Sequence, residues 1–122
     1  MSNPELIEIK LLQKERELLL TFENDQRFSL SCEYLRVFSP SAEVRGHGKQ
    51  EMQLVAGKQN VNIIGMEPVG NYAVKLVFDD GHDTGLYTWE FLYELGLNQQ
   101  QNWDYYLQRL QQAQLSREAV NA

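Results

Sequence analysis

Cysteine, histidine and positive charge are all scarce in this chain of 122 residues, which holds one cysteine, two histidines and eleven Lys/Arg against seventeen Asp/Glu. A lone Cys32 excludes an internal disulfide framework and a cysteine-based zinc site, and beside a core-facing helix it reads as a small buried hydrophobe. No apolar run approaches the ~20 residues that span a bilayer, and the N-terminus lacks the basic start and apolar core of a signal peptide. No membrane association is expected, and the cytoplasm is the expected location. GxGxxG and the Walker sequence are absent, so Gly46-His47-Gly48 lacks the strand-to-helix setting of a phosphate cradle. The net charge is −6, and residues 1–97 carry all of it, with nine Lys/Arg and fifteen Asp/Glu. Duplex binding depends on neutralising phosphates, so no nucleic-acid partner is expected. A local basic cluster could draw only on Arg36, Arg45 and Lys49.

What is present is an ordinary globular composition, 43% hydrophobic and 23% charged, of a length that suits one domain. Leu6 to Leu12 alternates, with Ile7, Ile9 and Leu11 on the side expected to be buried. Lys14-Glu15-Arg16 reads as a charged turn into a second strand, Glu17 to Phe22, and Asn24-Asp25-Gln26 as a turn into a third, Arg27 to Leu30. Ser31 suits the cap of a short helix, Cys32 to Val37, with Leu35 and Phe38 inward and Tyr34 on the flank. Pro40 stops that helix. Residues 42–60 are polar and aperiodic, a loop long enough to be functional. Val61 to Met66 and Ala73 to Phe78 read as strands joined by a wide turn at Glu67–Asn71. The second has a single charge, Lys75, and should be central.

Asp79-Asp80-Gly81 is a hairpin turn signal, with Thr84 to Thr88 returning as a strand. Trp89 to Leu95 places Trp89, Leu92 and Tyr93 on one helical face, with Gly96 as the C-cap. Trp103, Tyr106, Leu107, Leu110 and Ala113 predict a long amphipathic helix through about Leu115, with Ser116 to Ala122 fraying; docking on the domain's own sheet is preferred over a self-association or partner surface. The expected fold class is α+β: a small antiparallel sheet, short helices and a C-terminal amphipathic helix.

Two clusters bear on chemistry. In DDGHD, His82 with Asp80 and Asp83 offers nitrogen and carboxylate donors to iron or zinc. The competing reading is a solvated hairpin tip whose imidazole packs beside Tyr87 or Trp89, and it is preferred because acidic turns are common and metal sites rare. The other cluster is Arg36, Ser39, Ser41, Glu43, Arg45 and His47. Its serines flank a proline and lack the strained elbow of a nucleophile, so ion pairing that ties the loop down is preferred over catalysis. Of these, Arg36, Glu43, Arg45 and His47 are expected to gather near His82 in one polar concavity between the short helix and the Asp-Gly turn.

The stretches YLR-x-x-SPSAEVRGHG and G-x-EPVGNYAVKLVFDDGHDTGLYTWEFLYELG closely resemble the gamma-butyrobetaine-hydroxylase-like N-terminal domain family, over roughly Ile7 to Gly96. The resemblance implies a domain at residues 1–97 with a helical extension at 98–122. Bacterial members are small stand-alone proteins of unknown function. In the larger oxygenases the domain precedes a catalytic barrel and holds a structural zinc through three cysteines and a histidine. Here Ser39, Ser41 and Val44 stand at the cysteine positions, and His82 matches the histidine. Similar domains also occur fused to P-loop iron–sulfur carriers. The expectation is a non-enzymatic accessory domain that needs no cofactor and meets an unidentified protein partner, in the setting of iron–sulfur or oxygenase proteins. Its surface would be the Ser39–Lys49 loop and the Asp79–Asp83 turn. The alternative is an iron- or zinc-binding protein using His82 and the nearby acids.

Overall fold

The computed structural model describes residues 4–40 and 54–118. Six strands and three helices follow in the order β1 (Leu6–Leu12), β2 (Glu17–Phe22), β3 (Arg27–Ser31), α1 (Cys32–Val37), β4 (Ile63–Val69), β5 (Ala73–Phe78), β6 (Leu86–Thr88), α2 (Trp89–Leu97) and α3 (Gln99–Ala113). The fold is α+β, and its antiparallel strands form two three-stranded sheets, ordered β1-β2-β3 and β4-β5-β6. As its near-absence of charge suggested, β5 is central.

Alternating apolar residues build the shared core. Leu18, Leu20 and Phe22 of β2 join Val74, Leu76 and Phe78 of β5, and α1 and α2 add Leu35, Leu92 and Leu95. The edge strands β1 and β4 each carry a bulge. Leu6 pairs with Phe22 and Glu8 with Thr21, so Ile7 is the extra residue. It is 64% exposed, while Leu6, Ile9 and Leu11 pack inward. Ile64 is likewise extra between Ile63 and Gly65, and is 59% exposed. A bulge reverses the facing of what precedes it, which is why strict alternation misplaced Ile7.

Local chemistry accounts for the connections. The Ser31 hydroxyl accepts from Tyr34 N at 3.0 Å and caps α1. Tyr34 itself is fully buried rather than flanking. Asn24 Oδ1 accepts from Gln26 N at 3.1 Å, a side-chain turn that returns β2 to β3. The expected wide turn at Glu67–Asn71 is tighter: β4 runs on through Pro68 to Val69, and only residues 70–72 turn. An edge strand tolerates proline because one side of its backbone needs no ladder donor. The Asp79–Gly81 turn closes through Phe78 N to His82 O at 3.0 Å, but β6 starts only at Leu86. The loop is therefore broader than a two-residue hairpin.

Thr88 caps α2 by accepting from Phe91 N at 3.1 Å. Leu92 is buried, and the half-buried Trp89 and Tyr93 pack on the core. Trp89 Nε1 also donates to Asn71 O at 2.9 Å. Gly96 is not the cap, which falls at Asn98. It lies inside α2, face to face with the Phe28 ring, where a Cβ would overlap the ring atoms. The helix bends at Asn98 into α3, which buries Tyr106 and Leu110 but leaves Leu107 and Ala113 exposed. α3 ends at Gln114 in a left-handed conformation. The tail beyond it does not fray at once: Gly57 N donates to Ser116 O and Gln59 N to Arg117 O, both at 2.9 Å.

Candidate functional site

The end of α1, the β5–β6 loop and the segment before β4 converge. Asp80 is the junction. Its Oδ2 takes Arg36 Nε at 2.8 Å and Lys58 Nζ at 2.7 Å, while its Oδ1 accepts the His82 N–H at 3.1 Å. Asp80 backbone atoms lie at the surface of the turn, but its side chain is tucked beneath the two cations. Burial alone would raise this carboxyl. Lys58, the His82 N–H and Arg36 outweigh that and hold it down at about 2, as favoured hydrogen bonding to the charged form should. Two cations on one carboxylate leave the cluster locally positive in an acidic chain. Arg36 Nη1 is buried with no hydrogen-bond partner among the described residues.

Beneath this ion cluster, Ser39 Oγ lies 2.9 Å from His82 Nε2. Ser39 is 0% and His82 8% exposed. The imidazole is tilted against Phe78, 6.1 Å between ring centres. Tyr87 donates to Leu35 O at 2.5 Å. Burial pushes its phenol up, with the Ser39 hydroxyl offsetting part of the effect. Gly85 lets the loop pass this closely, because a Cβ there would overlap Ser39 Oγ.

The zinc implied by the family resemblance can be tested against these donors. The imidazole nitrogen that faces the Ser39 position is already hydrogen-bonded to a hydroxyl, and a neutral serine is not the thiolate donor that such zinc sites use. Val44 supplies no donor at all. The residues present do not fit the zinc. Among the described residues, no group of three or more His, Cys, Asp or Glu gathers as a metal site. Asp80 is engaged with Arg36 and Lys58, and Asp83 is exposed on the loop. Cys32 is buried, with its thiol pushed up chiefly by burial and its Sγ 3.6 Å from Asn62 Oδ1.

The structure thus brings together Arg36, Ser39, Asp80 and His82 of the residues singled out in sequence. Ser41, Glu43, Arg45, His47 and Lys49 lie outside the described residues. Lys58 was missed, since nothing in the polar stretch around it marks one lysine over another. The bidentate pair of Arg117 with Glu33, at 2.9 and 2.7 Å, was missed too. Glu33 in the first turn of a short apolar helix was its only trace.

Among solved structures, one solution structure is similar at 57% identity and a TM-score of 0.83, covering 98% of this chain and 89% of its own. A second solution structure matches at 45% identity and a TM-score of 0.84, over 99% and 95%. A crystal structure of a protein with unknown function from Acidithiobacillus ferrooxidans, assigned to the DUF971 family, matches at 36% identity and a TM-score of 0.65, over 78% and 98%. A search of curated proteins gave no match. The family model described as gamma-butyrobetaine hydroxylase-like, N-terminal, matches residues 9–93. With the model matching well over half of its residues, the chain belongs to the gamma-butyrobetaine hydroxylase-like N-terminal domain family.

Proposed function

We propose that this chain is a non-enzymatic accessory domain that binds a protein partner through the surface formed by the end of α1 and the β5–β6 loop. One observation carries the reading: the Arg36–Asp80 pair at 2.8 Å and the Ser39–His82 pair at 2.9 Å join the two most distinctive stretches of the sequence into one braced platform. The polar groups there are engaged with one another. Ser39 is beyond the reach of a substrate and His82 nearly so, whereas a general base must come within hydrogen-bond distance of the proton it takes. A surface whose carboxylate and imidazole are already engaged, and which keeps a locally positive charge, suits recognition rather than proton transfer. The family resemblance directs the search for a partner to iron–sulfur and oxygenase proteins.

Asp83 is exposed at the loop tip, so Asp83→Lys reverses a charge on this surface without touching the Asp80 cluster. Affinity purification from the host should recover a protein with the wild type that the variant fails to retain, with both chains melting at the same temperature. Retention of the same protein by both would remove the loop from the proposed surface. The rival reading, iron or zinc on His82, Asp80 and Asp83, makes a different prediction: stoichiometric metal in untagged protein, lost on substitution of His82.

A further inference from the structure

After α3 ends, the tail turns back over the molecule and is held at one charged point. Arg117 Nε and Nη2 donate to Glu33 Oε2 and Oε1 at 2.9 and 2.7 Å, and its guanidinium lies 5.2 Å over the Trp103 ring. The Glu33 side chain is only 5% exposed. Paired there, the tail accepts backbone N–H groups from Gly57 through Ser116 O and from Gln59 through Arg117 O, both at 2.9 Å. These two bonds flank Lys58, whose Nζ sits 2.7 Å from Asp80 Oδ2.

We propose that the C-terminal tail is a detachable strap: Arg117, docked on Glu33, clamps residues 57–59 and so sets Lys58 against Asp80. The segment is anchored independently at its two ends, by Tyr106 OH to Val55 O at 2.7 Å and by Arg16 Nε to Asn60 O at 3.1 Å. Between those anchors its backbone has neither helix nor strand; Val61 N donates to Lys58 O at 3.1 Å, and the tail supplies the acceptors for Gly57 N and Gln59 N. Release of the tail frees the middle of the segment without unfolding the two sheets. The ion cluster then keeps Arg36 but loses a fixed Lys58. Such a device gives the C-terminal extension control over the polar surface on the β5–β6 loop, and it stands whether or not that surface binds a partner.

Amide hydrogen exchange read by NMR, with titration of the Asp80 carboxyl, tests the strap on wild type and Arg117→Ala. In the variant, protection at Gly57 and Gln59 should fall about tenfold or more, a local opening of the kind that exchange detects below global unfolding. The β5 amides should keep their protection, and the Asp80 midpoint should move up toward the ordinary carboxylate range. Unchanged protection at Gly57 and Gln59 overturns the strap. So does a loosened segment with an unmoved Asp80 midpoint, or an equal loss of protection in β5, which would make the tail part of the global scaffold. If the variant does not fold, the wild type decides: Gly57 and Gln59 must open together at lower free energy than β5. Exchange of both only through global unfolding overturns the proposal.

Discussion

A methyl group added at Gly96 would overlap the Phe28 ring, and that ring has little room to retreat. It is held edge-on by Phe22 and Tyr93, each with its centre 5.9 Å away. Alanine is favoured over glycine in a helix interior by roughly 1 kcal/mol, whereas overpacking a core costs about 1–3 kcal/mol. The steric effect should win. Gly96→Ala is expected to lower the urea midpoint, and a rise would mean that Phe28 yields. Asp80 offers a pH-dependent test. Its folded pKa lies below the ordinary 3.8, at about 2, so its contribution is present above about pH 4 and is lost as the pH falls through about 2. Allowing for solvent screening on the open side of the cluster, that contribution is on the order of 1 kcal/mol. The stability gap between wild type and Asp80→Asn should stay constant from neutral pH down to about 5 and close toward pH 2. Urea unfolding across that range measures it.

Among the elements, the three helices are tied by one hydroxyl. Tyr34 of α1 donates to Leu95 O of α2 at 2.7 Å and accepts from Asn102 Nδ2 of α3 at 3.0 Å. Burial pushes the phenol up to about 12, with Asn102 offsetting a little, so it stays a donor at any working pH. Tyr34→Phe keeps the ring packing against Phe38 and Trp103 but strands a carbonyl and an amide. The expected cost is about 1–3 kcal/mol, as for other buried groups left unsatisfied, read as a lowered unfolding free energy with unchanged secondary structure. The amphipathic pattern of α3 was legible in its sequence, and with it all of the docked face but its edge. Trp103, Tyr106 and Leu110 pack inward, while Leu107 faces out. A stripe of large residues does not reveal which edge of it meets the neighbouring helix.

At the scale of the whole molecule, two sheets and two helices close one apolar cluster from their own side chains. Among the described residues, no helix is long and apolar enough to cross a membrane. When a metal is structural, its binding free energy is part of the folding free energy. With Ser39 hydrogen-bonded to His82, the domain should not depend on such a term. Thermal melts with and without chelator are expected to superimpose, and a fall of more than a few degrees on adding chelator would contradict this.

Short-range patterns carried what the sequence determined alone. β2 and α1 fall at the residues their periodicity predicted, Ser31 caps α1, and the Asp-Gly turn forms. Each depends on groups within a few residues, so the information is local. Family resemblance in the two motifs pointed to the region where Arg36, Ser39, Asp80 and His82 meet. What tertiary structure decided lies in partners distant along the chain. The outward turn of Ile7 depends on the register that β2 imposes, and Gly96 on a ring brought by β3. Ser39 meets His82 across 43 positions and Glu33 meets Arg117 across 84. No periodicity records such pairs, because a side chain's partner is set by the path of the backbone between them, and that path is fixed only when the two sheets and the C-terminal helix have packed.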